Sequence, residues 1–490
     1  MAWVMSSPRE MSTLLLATVL LLWCSVFSVL VHLRHARFGS FDFDSGIFDQ
    51  AVWLLARGQE FNTVRGLDVF GNHASVAYYL LVPFSWMGAG SDFLNVLQVL
   101  SLGLAAVAVN RIALHHLQNP WMAVALATAF LLHPSVQWFA QELFHPEVVA
   151  IAPLLFAYLA ALQHRWLRFA ALALLAMAWK EDVALAVVGL GAVLLARRQW
   201  RPGILTVAGG AAWFLLATLL VQHKAGGVFY AQQFYGDFGS TSAEVAQTVV
   251  THPGRVLDRL QDADASQYGF DIASPYGLTS LLSPLTLVIG SPQALLNLIS
   301  VQDFTWRTQL HYAALPVASA TIAMVESVAR FRRIGVRRFI VGLVVAAAWG
   351  ATLTSGAAPV SAGYAQGIWP LRDDARQPVL EAAVKVPPPD AAVSASYRLI
   401  PHLTHRESIY SFPNPWVLRN FGLDNTVGPD PAIIEWLVVD RTSIGQADSD
   451  LLDRVLMSGE FVVVTDRDSV VVAARSAYCS RRPAACRPRG

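Results

Sequence analysis

The sequence carries little charge for its length. Lys, Arg, Asp and Glu make up 14% of its 490 residues, and the formal net charge is +1. No basic tract is present, so the sequence predicts no nucleic-acid partner, whose phosphates would need a positive patch. Hydrophobic residues make up 55% of the chain and the mean hydropathy is +0.46, which indicates a protein that crosses a membrane several times.

Cysteine is scarce as well. The three cysteines have none of the short paired spacings that zinc ligands need, which argues against a cysteine-based metal site. Cys24 lies in an apolar stretch and is interpreted as a packing residue. Cys479 and Cys486 lie in the C-terminal tail, where a disulfide and two unpaired thiols both stay open; a disulfide is feasible if the tail is extracytoplasmic.

Eleven apolar stretches follow one another through the first 356 residues. The first is too long for a signal peptide and lacks a cleavage site, so we interpret it as a membrane helix. We therefore expect an α-helical, polytopic membrane domain over 1–356 with about 9–11 membrane helices. The stretches are 12–31, 74–90, 93–114, 119–140, 147–163, 167–179, 183–197, 203–222, 276–299, 309–329 and 338–356.

Basic clusters predict the orientation of this domain. Lys and Arg concentrate in 163–168, 197–202 and 330–338, and loops of this kind face the cytoplasm. A first outer loop (32–73) and a second outer loop (223–275) then lie outside, as does everything after residue 356.

This orientation requires two of the apolar stretches not to cross the membrane. Our candidates are 74–90 and 276–299. The second contains Ser-Pro twice, which suits a broken or re-entrant segment because proline interrupts helical hydrogen bonding.

The composition changes after residue 356. Charged residues number 29 in the last 134 positions against 40 in the first 356, so the density of charge doubles. "IIEWLVVD" (433–440) is typical of a buried strand, and "EFVVVTDRDSVVVAAR" (460–475) of a β-hairpin. The sequence thus predicts a small, extracytoplasmic α/β domain over 357–490.

The stretch "FDFDSGIFDQAVW" (41–53) places three acids in the first outer loop. A helix beginning near Ser45 would put Asp49 on a polar face and would lie along the membrane surface. Asp44 or Ser45 could cap it, since a short oxygen acceptor satisfies a free amide in the first turn. A cap and a solvated face are therefore the local explanation of Asp44 and Asp49.

Other ionisable residues lie at the same predicted edge of the membrane. Such groups are costly there and suggest a functional site by default, although each one alone fits a cap or a structural ion pair as well. Together they predict one shared polar pocket that opens outward. The residues are His73, Glu142, His145, Glu147, Lys180, Glu181, Asp182, His311 and Tyr312.

The residue types in this set indicate a chemistry. A carboxylate at the boundary between membrane and water can act as a general base toward a hydroxyl. Cationic side chains can hold a phosphate leaving group. The combination suits transfer of a sugar from a lipid phosphate to a hydroxyl acceptor.

Several motifs resemble those of a bacterial and archaeal family of predicted membrane proteins, DUF2079 (a domain of unknown function). They are "FDFDSGIFDQAVW", "GNHAS", "FHPE", "WKED", "LLSPL" followed by "GSPQALLNLIS", and "SASYRLIPHLTHRESIYSFP". The resemblance covers roughly 38–440.

The layout is also similar to that of the GT-C superfamily of membrane glycosyltransferases. That resemblance implies a multi-pass protein of the cell membrane, a polyprenyl-phosphate-linked sugar donor, a membrane-lipid partner and a catalytic acid in the first outer loop. The acid would be Asp44, with Asp49 or Asp42 as the substitute. The second acidic motif of some members, Asp-x-Asp, is replaced here by "HPE", which leaves open whether a divalent cation takes part.

Two other functions stay open. A transporter or flippase for a lipid-linked or charged solute would use the same ionisable groups as a path. Against it, the sequence has no inverted repeat, and its polar clusters gather at one edge. A non-catalytic membrane scaffold whose outer domain binds cell-wall components is the third hypothesis.

The orientation can be tested with a reporter fused after residue 356. We expect a reporter that works only outside the cytoplasm to be active, because the basic cluster 330–338 holds the inner end of the last helix. Activity of a strictly cytoplasmic reporter at the same position would contradict the orientation.

Overall fold

The structure, a computed structural model, describes residues 7–226, 232–371, 374–420 and 428–486. Parts of the second outer loop (227–231) and of the predicted C-terminal domain (372–373, 421–427 and 487–490) lie outside the described residues, as do residues 1–6. The first helix, α1, runs from Pro8 to Ala36. It begins with a capping box, in which Ser7 and Glu10 satisfy each other's backbone amides.

The first outer loop forms a folded layer. Every residue of its main helix, α2, is buried, so the prediction of a surface-lying helix with Asp49 in water is wrong. The C-terminal domain covers this helix: Gln50 donates to the Arg406 carbonyl at 3.2 Å. The elements of the loop are a one-turn π-helix (Asp42–Gly46), α2 (Ile47–Leu55), β1 (Phe61–Asn62), β2 (Leu67–Asp68), α3 (Val69–Asn72), a 3-10 helix (Val76–Leu80) and α4 (Val82–Trp86).

The helices that follow form the core of the bundle. Pro134 breaks one apolar run into two helices that meet at 55°, because proline cannot donate to the preceding turn. The elements are α5 (Ser91–Leu117), α6 (Pro120–Leu132), α7 (Pro134–Gln141), α8 (Pro146–Val149), α9 (Ile151–Leu162), α10 (Trp166–Met177), α11 (Val183–Ala196) and α12 (Trp200–Lys224).

The second outer loop and the stretch after it consist of short helices. The elements are α13 (Gln232–Tyr235), α14 (Ser242–Thr251), α15 (Pro253–Asp262), α16 (Ala265–Ala273), two 3-10 turns (Ser274–Tyr276 and Thr279–Leu282), α17 (Pro284–Leu287) and α18 (Ser291–Ile299). No helix within 276–299 or 74–90 is long enough by itself to span a bilayer, so the predicted break in 276–299 is present, while the prediction that neither stretch crosses the membrane stays a prediction. Two long helices, α19 (Ala314–Arg330) and α20 (Ile334–Ser355), complete the bundle.

The protein is a multi-pass membrane protein. Five helices in the described residues are long and apolar enough to cross a membrane, and the bent pair α6–α7 makes a sixth candidate. Three shorter apolar segments, Pro146–Leu162, α10 and α11, lie among them. The predicted helical, polytopic fold is therefore confirmed.

The C-terminal domain is built on a five-stranded sheet in the order β4-β3-β5-β7-β6. Its first three strands in the chain pair in parallel, and β5, β7 and β6 pair antiparallel, so β5 and the β6–β7 hairpin confirm the two strand predictions. The elements are α21 (Ala362–Ala365), α22 (Gln377–Ala383), β3 (Val393–Ala395), β4 (Ile409–Ser411), β5 (Trp436–Asp440), α23 (Gln446–Met457), β6 (Phe461–Arg467), β7 (Val470–Arg475) and α24 (Ser476–Arg481).

Hydrophobic packing joins this domain to the bundle. Val393, Ile400 and Trp436 belong to the same continuous core as the membrane helices, and α23 covers a smaller core on the other face of the sheet. Both faces of the central strands β3, β5 and β7 are thus buried, while the edge strand β6 is largely exposed. Cys479 and Cys486, which the sequence left open, are joined by a disulfide with a Cα–Cα distance of 5.6 Å.

The interrupted segment α17–α18 is held between two helices by close backbone contacts. A Cβ atom on Gly189 of α11 would lie 2.5 Å from the Val288 carbonyl oxygen. One on Gly290 would lie 2.5 Å from the Ser319 hydroxyl of α19. Only glycine permits this approach, which brings α18 to the outer end of the bundle.

We expect Gly189→Ala to lower the apparent unfolding temperature of the purified protein, because overpacking at a rigid backbone contact typically costs about 1–3 kcal/mol. The matched control is Gly209→Ala in α12, where a Cβ meets nothing within 4 Å. That change should be neutral or stabilising, since alanine is the better helix former. Equal shifts in the two variants would contradict the proposed close contact.

Candidate functional site

A cavity of about 990 Å³ lies between the first outer loop and the bundle. Helix α12 contributes Phe214, Thr218 and Val221 to its wall, and only 17% of the apolar window of that helix is buried in the protein. Helix α12 is thus a peripheral helix of the bundle and forms part of the cavity wall. The volume is at the upper end of the range usual for ligand pockets, about 300–1,000 Å³.

The structure brings ten of the eleven predicted site residues to the wall of this cavity. They come from five separate segments of the chain, between residues 44 and 312. They are Asp44, His73, Glu142, His145, Glu147, Lys180, Glu181, Asp182, His311 and Tyr312.

Asp49, the eleventh, lies outside the cavity. Its carboxylate accepts a hydrogen bond from the Ser91 hydroxyl at 3.0 Å and another from Thr404, and it lies 3.4 Å from His405. The prediction that Asp49 could substitute for Asp44 at the site is therefore corrected. The π-helical turn rotates the two acids onto different sides of the loop, and Asp49 joins the loop to the C-terminal domain.

The carboxylate of Asp44 lies on the wall of the large cavity. The structure shows no side-chain cap at the start of α2, so the capping explanation of Asp44 and Ser45 is wrong. Its Oδ1 lies 3.4 Å from Nε2 of His145. Burial alone would raise the pKa of Asp44, but the charges of His145, His311 and Arg34 outweigh it and hold that pKa below its ordinary value.

Helix α5 and the neighbouring segment of chain hold His145 in place. Its backbone amide donates to Oε1 of Gln98 at 2.6 Å, and its Nδ1 donates to the Leu143 carbonyl at 2.7 Å. Because a carbonyl only accepts, Nδ1 carries a proton and Nε2 faces Asp44. Burial would lower the pKa of His145, but Glu142 and Asp44 raise it to about 9.

His311 forms the second ring of the site. It stacks on His145 with ring centroids 3.6 Å apart. Glu142 accepts from both the backbone amide and Nδ1 of His311, each at 2.8 Å, which fixes the entry into α19. Tyr312 follows it along the wall, and its carbonyl accepts from Asn297 of the interrupted segment at 2.8 Å.

Lys180 is the centre of a buried ion cluster. Its ammonium group donates to Oε1 of Glu147 at 2.5 Å and lies 3.3 Å from Asp182. The other oxygen of Glu147, Oε2, is buried without a hydrogen-bond partner. This oxygen requires a hydrogen-bond donor, because an acceptor that is buried without one costs free energy.

His73 and Glu181 form the remaining pair. Nδ1 of His73 and Oε1 of Glu181 are 2.8 Å apart, and the other oxygen of Glu181 accepts from the Ala74 amide at 3.0 Å. Burial would raise the pKa of Glu181, but His73 holds it below its ordinary value. The pair ties the first outer loop to the "WKED" segment.

Arg34 is a cavity residue that the sequence analysis missed. It is buried, and its side chain donates to the carbonyls of Gly39 and Gln141. Among the described residues, no carboxylate lies within ion-pair distance of it. A signal existed: a basic residue at the predicted outer end of the first span runs against the usual preference of basic residues for the cytoplasmic side.

Three of the cavity residues could hold a metal ion. Glu142, His145 and His311 each offer a ligand atom, and these atoms lie within 4.8 Å of one another. Two histidines and a carboxylate are a common ligand set for divalent transition metals. The bond from Nδ1 of His145 to a carbonyl also fits, because it leaves Nε2 as the ligand atom.

The sequence model of the DUF2079 family of predicted membrane proteins matches residues 34–472. The chain belongs to this family. Among curated proteins, none matches the sequence.

Solved structures share the fold of this DUF2079 protein. ArnT from Cupriavidus metallidurans bound to undecaprenyl phosphate aligns with a TM-score of 0.59, covering 94% of this chain and 97% of ArnT at 14% identity. The apo state of ArnT aligns with a TM-score of 0.57, covering 95% and 98% at the same identity. ArnT is a GT-C glycosyltransferase, so the predicted GT-C-like fold is confirmed.

The elevated pKa of His145 predicts a loss of stability at alkaline pH. A histidine with a pKa near 6.5 when unfolded and about 9 when folded stabilises the protein fully below pH 6.5. That contribution is lost as the pH rises through about 9. We expect the apparent unfolding temperature to fall over this window in the wild type, and much less in His145→Gln.

The control for this measurement is His223→Gln, which changes an exposed histidine at the end of α12. It should keep the wild-type dependence on pH. The same decline in His145→Gln as in the wild type would contradict the ion pair between Asp44 and His145.

Proposed function

We propose that the protein is a membrane glycosyltransferase that moves a sugar from a polyprenyl-phosphate-linked donor to a hydroxyl acceptor. The observation that carries the proposal is the placement of Asp44, an ionised carboxylate beside His145, on the wall of a large cavity that the peripheral helix α12 helps to form. The GT-C-like fold supports it, because ArnT was solved with undecaprenyl phosphate bound.

Asp44 acts as the general base in this proposal. The acceptor hydroxyl attacks the anomeric carbon, its proton passes to the Asp44 carboxylate, and the bond from the anomeric carbon to the phosphate oxygen breaks. His145 keeps Asp44 ionised before the reaction, because its own raised pKa holds it protonated at neutral pH.

The departing polyprenyl phosphate needs positive charge near its oxygens. Arg34 is the strongest candidate, because it lines the cavity and, among the described residues, its guanidinium group donates hydrogen bonds only to backbone carbonyls. The planar guanidinium suits phosphate oxygens. Lys180 contributes less, since Glu147 and Asp182 already balance its charge.

The remaining polar groups orient the sugar. The unpartnered Oε2 of Glu147 accepts a hydrogen bond from a sugar hydroxyl, which satisfies the buried oxygen. The wall formed by Phe214, Val221 and Leu296 receives the first isoprene units. A divalent cation bound to Glu142, His145 and His311 would require a neutral His145, and would then supply positive charge at the phosphate in place of the proton on that ring.

The same proposal places the cavity mouth and the C-terminal domain outside the cytoplasm. The basic clusters of the sequence support this orientation. The disulfide between Cys479 and Cys486 supports it too, since disulfides persist in oxidising compartments.

The substitution Asp44→Asn tests whether Asp44 is the general base or has only a structural role. Asparagine keeps an acceptor oxygen but cannot take the proton, so we expect a folded protein whose transfer rate falls by about 10²–10⁴-fold. The measurement is release of polyprenyl phosphate from a labelled donor by the purified variant. Transfer at a near wild-type rate would exclude Asp44 as the base.

Asp49→Asn is the matched control, because it makes the same change in a nearby acid of the first outer loop that lies outside the cavity. Its transfer rate per folded molecule should stay near that of the wild type. Passage of an intact labelled lipid across proteoliposomes without sugar transfer would instead favour the flippase hypothesis.

A further inference from the structure

A second, smaller cavity of about 230 Å³ lies between the first outer loop and the C-terminal domain. It is distinct from the large cavity and contains none of the histidines or the ion cluster described above. Two residues, Phe43 and Arg65, line both cavities, and the Arg65 guanidinium lies 5.7 Å from the centre of the Phe43 ring. These two side chains thus form a shared wall.

The position of this cavity in the α/β domain is that of a binding site. It is lined by Tyr397, Ser411 and Ser443–Gly445, which follow or end the three parallel strands β3, β4 and β5. From β3 the chain passes to β4 on one side and then to β5 on the other. Ligands of open α/β sheets bind at the carboxyl ends of the strands where the order reverses in this way.

The π-helical turn of the first outer loop points its two acids into different cavities. Asp42 lines the small cavity, Asp44 lines the large one, and Phe43 between them touches both. A molecule in the small cavity therefore contacts the two side chains, Phe43 and Arg65, that also border the cavity of the proposed base. Access past Phe43 would bring one of its groups to Asp44.

The chemistry of the lining indicates a neutral, polyhydroxylated ligand. Two carboxylates, Asp42 and Asp448, balance two guanidinium groups, Arg65 and Arg419, and Arg419 donates to Asp448 at 2.8 Å. The balance disfavours an ionic ligand, because either sign would meet an equal opposing charge. Donors, acceptors and the apolar faces of Phe43 and Tyr397 are what a sugar ring requires.

The polar lining is held in place before a ligand binds. Asn414 is buried, its Oδ1 accepts from the Arg419 amide at 2.7 Å, and its carbonyl accepts from Ser394 of β3 at 2.7 Å. These bonds fix the segment that carries Arg419 against the sheet. Pre-organised groups of this kind favour specific binding, since little ordering remains to be done.

We infer that the small cavity is the acceptor site, which binds one neutral sugar ring or a polyol of similar size at the switch point of the C-terminal sheet. That the bound molecule is the acceptor rests on the proposed function. The volume is below the ~300–1,000 Å³ of pockets for drug-sized ligands, so the site accommodates one unit rather than a long chain.

The test is ligand-observed saturation-transfer NMR on the full chain in nanodiscs, which avoids detergents that are themselves glycosides. The probes are methyl α-D-glucopyranoside and methyl α-D-mannopyranoside, with inorganic phosphate as the charged competitor. We expect at least one glycoside to bind the wild type, and phosphate not to displace it.

Substitutions at the small cavity test where the glycosides bind. Gly445→Trp places a ring at the cavity, where a Cβ on Gly445 meets nothing within 4 Å, and should weaken glycoside binding by about tenfold or more. Gly254→Trp is the matched control, because it is equally open and lies outside both cavities. Asp42→Asn, which preserves shape, carries the test if Gly445→Trp does not fold.

Absence of glycoside binding to the wild type, equal binding to wild type and Gly445→Trp, or displacement by phosphate would each overturn the inference. Asp44→Asn should bind the glycosides like the wild type while losing transfer. Glycoside binding without any transfer by the wild type would count against the proposed function and keep the sugar site. Transfer whose acceptor KM is unchanged in Gly445→Trp would overturn the site and keep the function.

Discussion

The arrangement of this protein depends on the pairing of charges that are buried at one end of the helix bundle. Lys180 can be buried because Glu147 and Asp182 surround its ammonium group. An unpaired charge at that depth would cost several kcal/mol. The need for partners draws the segments before α9 and α11 together, and the room that remains among them is the large cavity.

The same constraint reaches the first outer loop. Glu181 holds His73 and the Ala74 amide, and His145 faces Asp44, so the loop is bound to the bundle by polar contacts at both of its ends. The C-terminal domain then closes over the loop through Gln50 and Asp49. The loop is a middle layer whose two surfaces each border a cavity.

Much of the fold could be predicted from the sequence because its signals are local. The long apolar runs, the interrupted segment after residue 276 and the β6–β7 hairpin depend on residues near one another in the chain. The set of ionisable residues at the cavity could also be selected, since charge within apolar surroundings is conspicuous. Strands β3 and β4 were not predicted, because three-residue strands carry too little pattern.

The three acids in "FDFDSGIFDQAVW" show which properties the sequence determines and which the tertiary structure decides. The sequence by itself determined that these acids stand at an edge of the membrane, because that follows from the hydropathy of the runs on either side. Only the tertiary structure decided that Asp42 faces the soluble domain, Asp44 the large cavity and Asp49 a buried contact. The reason is that a helical period gives relative directions around a helix, whereas the neighbours in each direction come from segments hundreds of residues away.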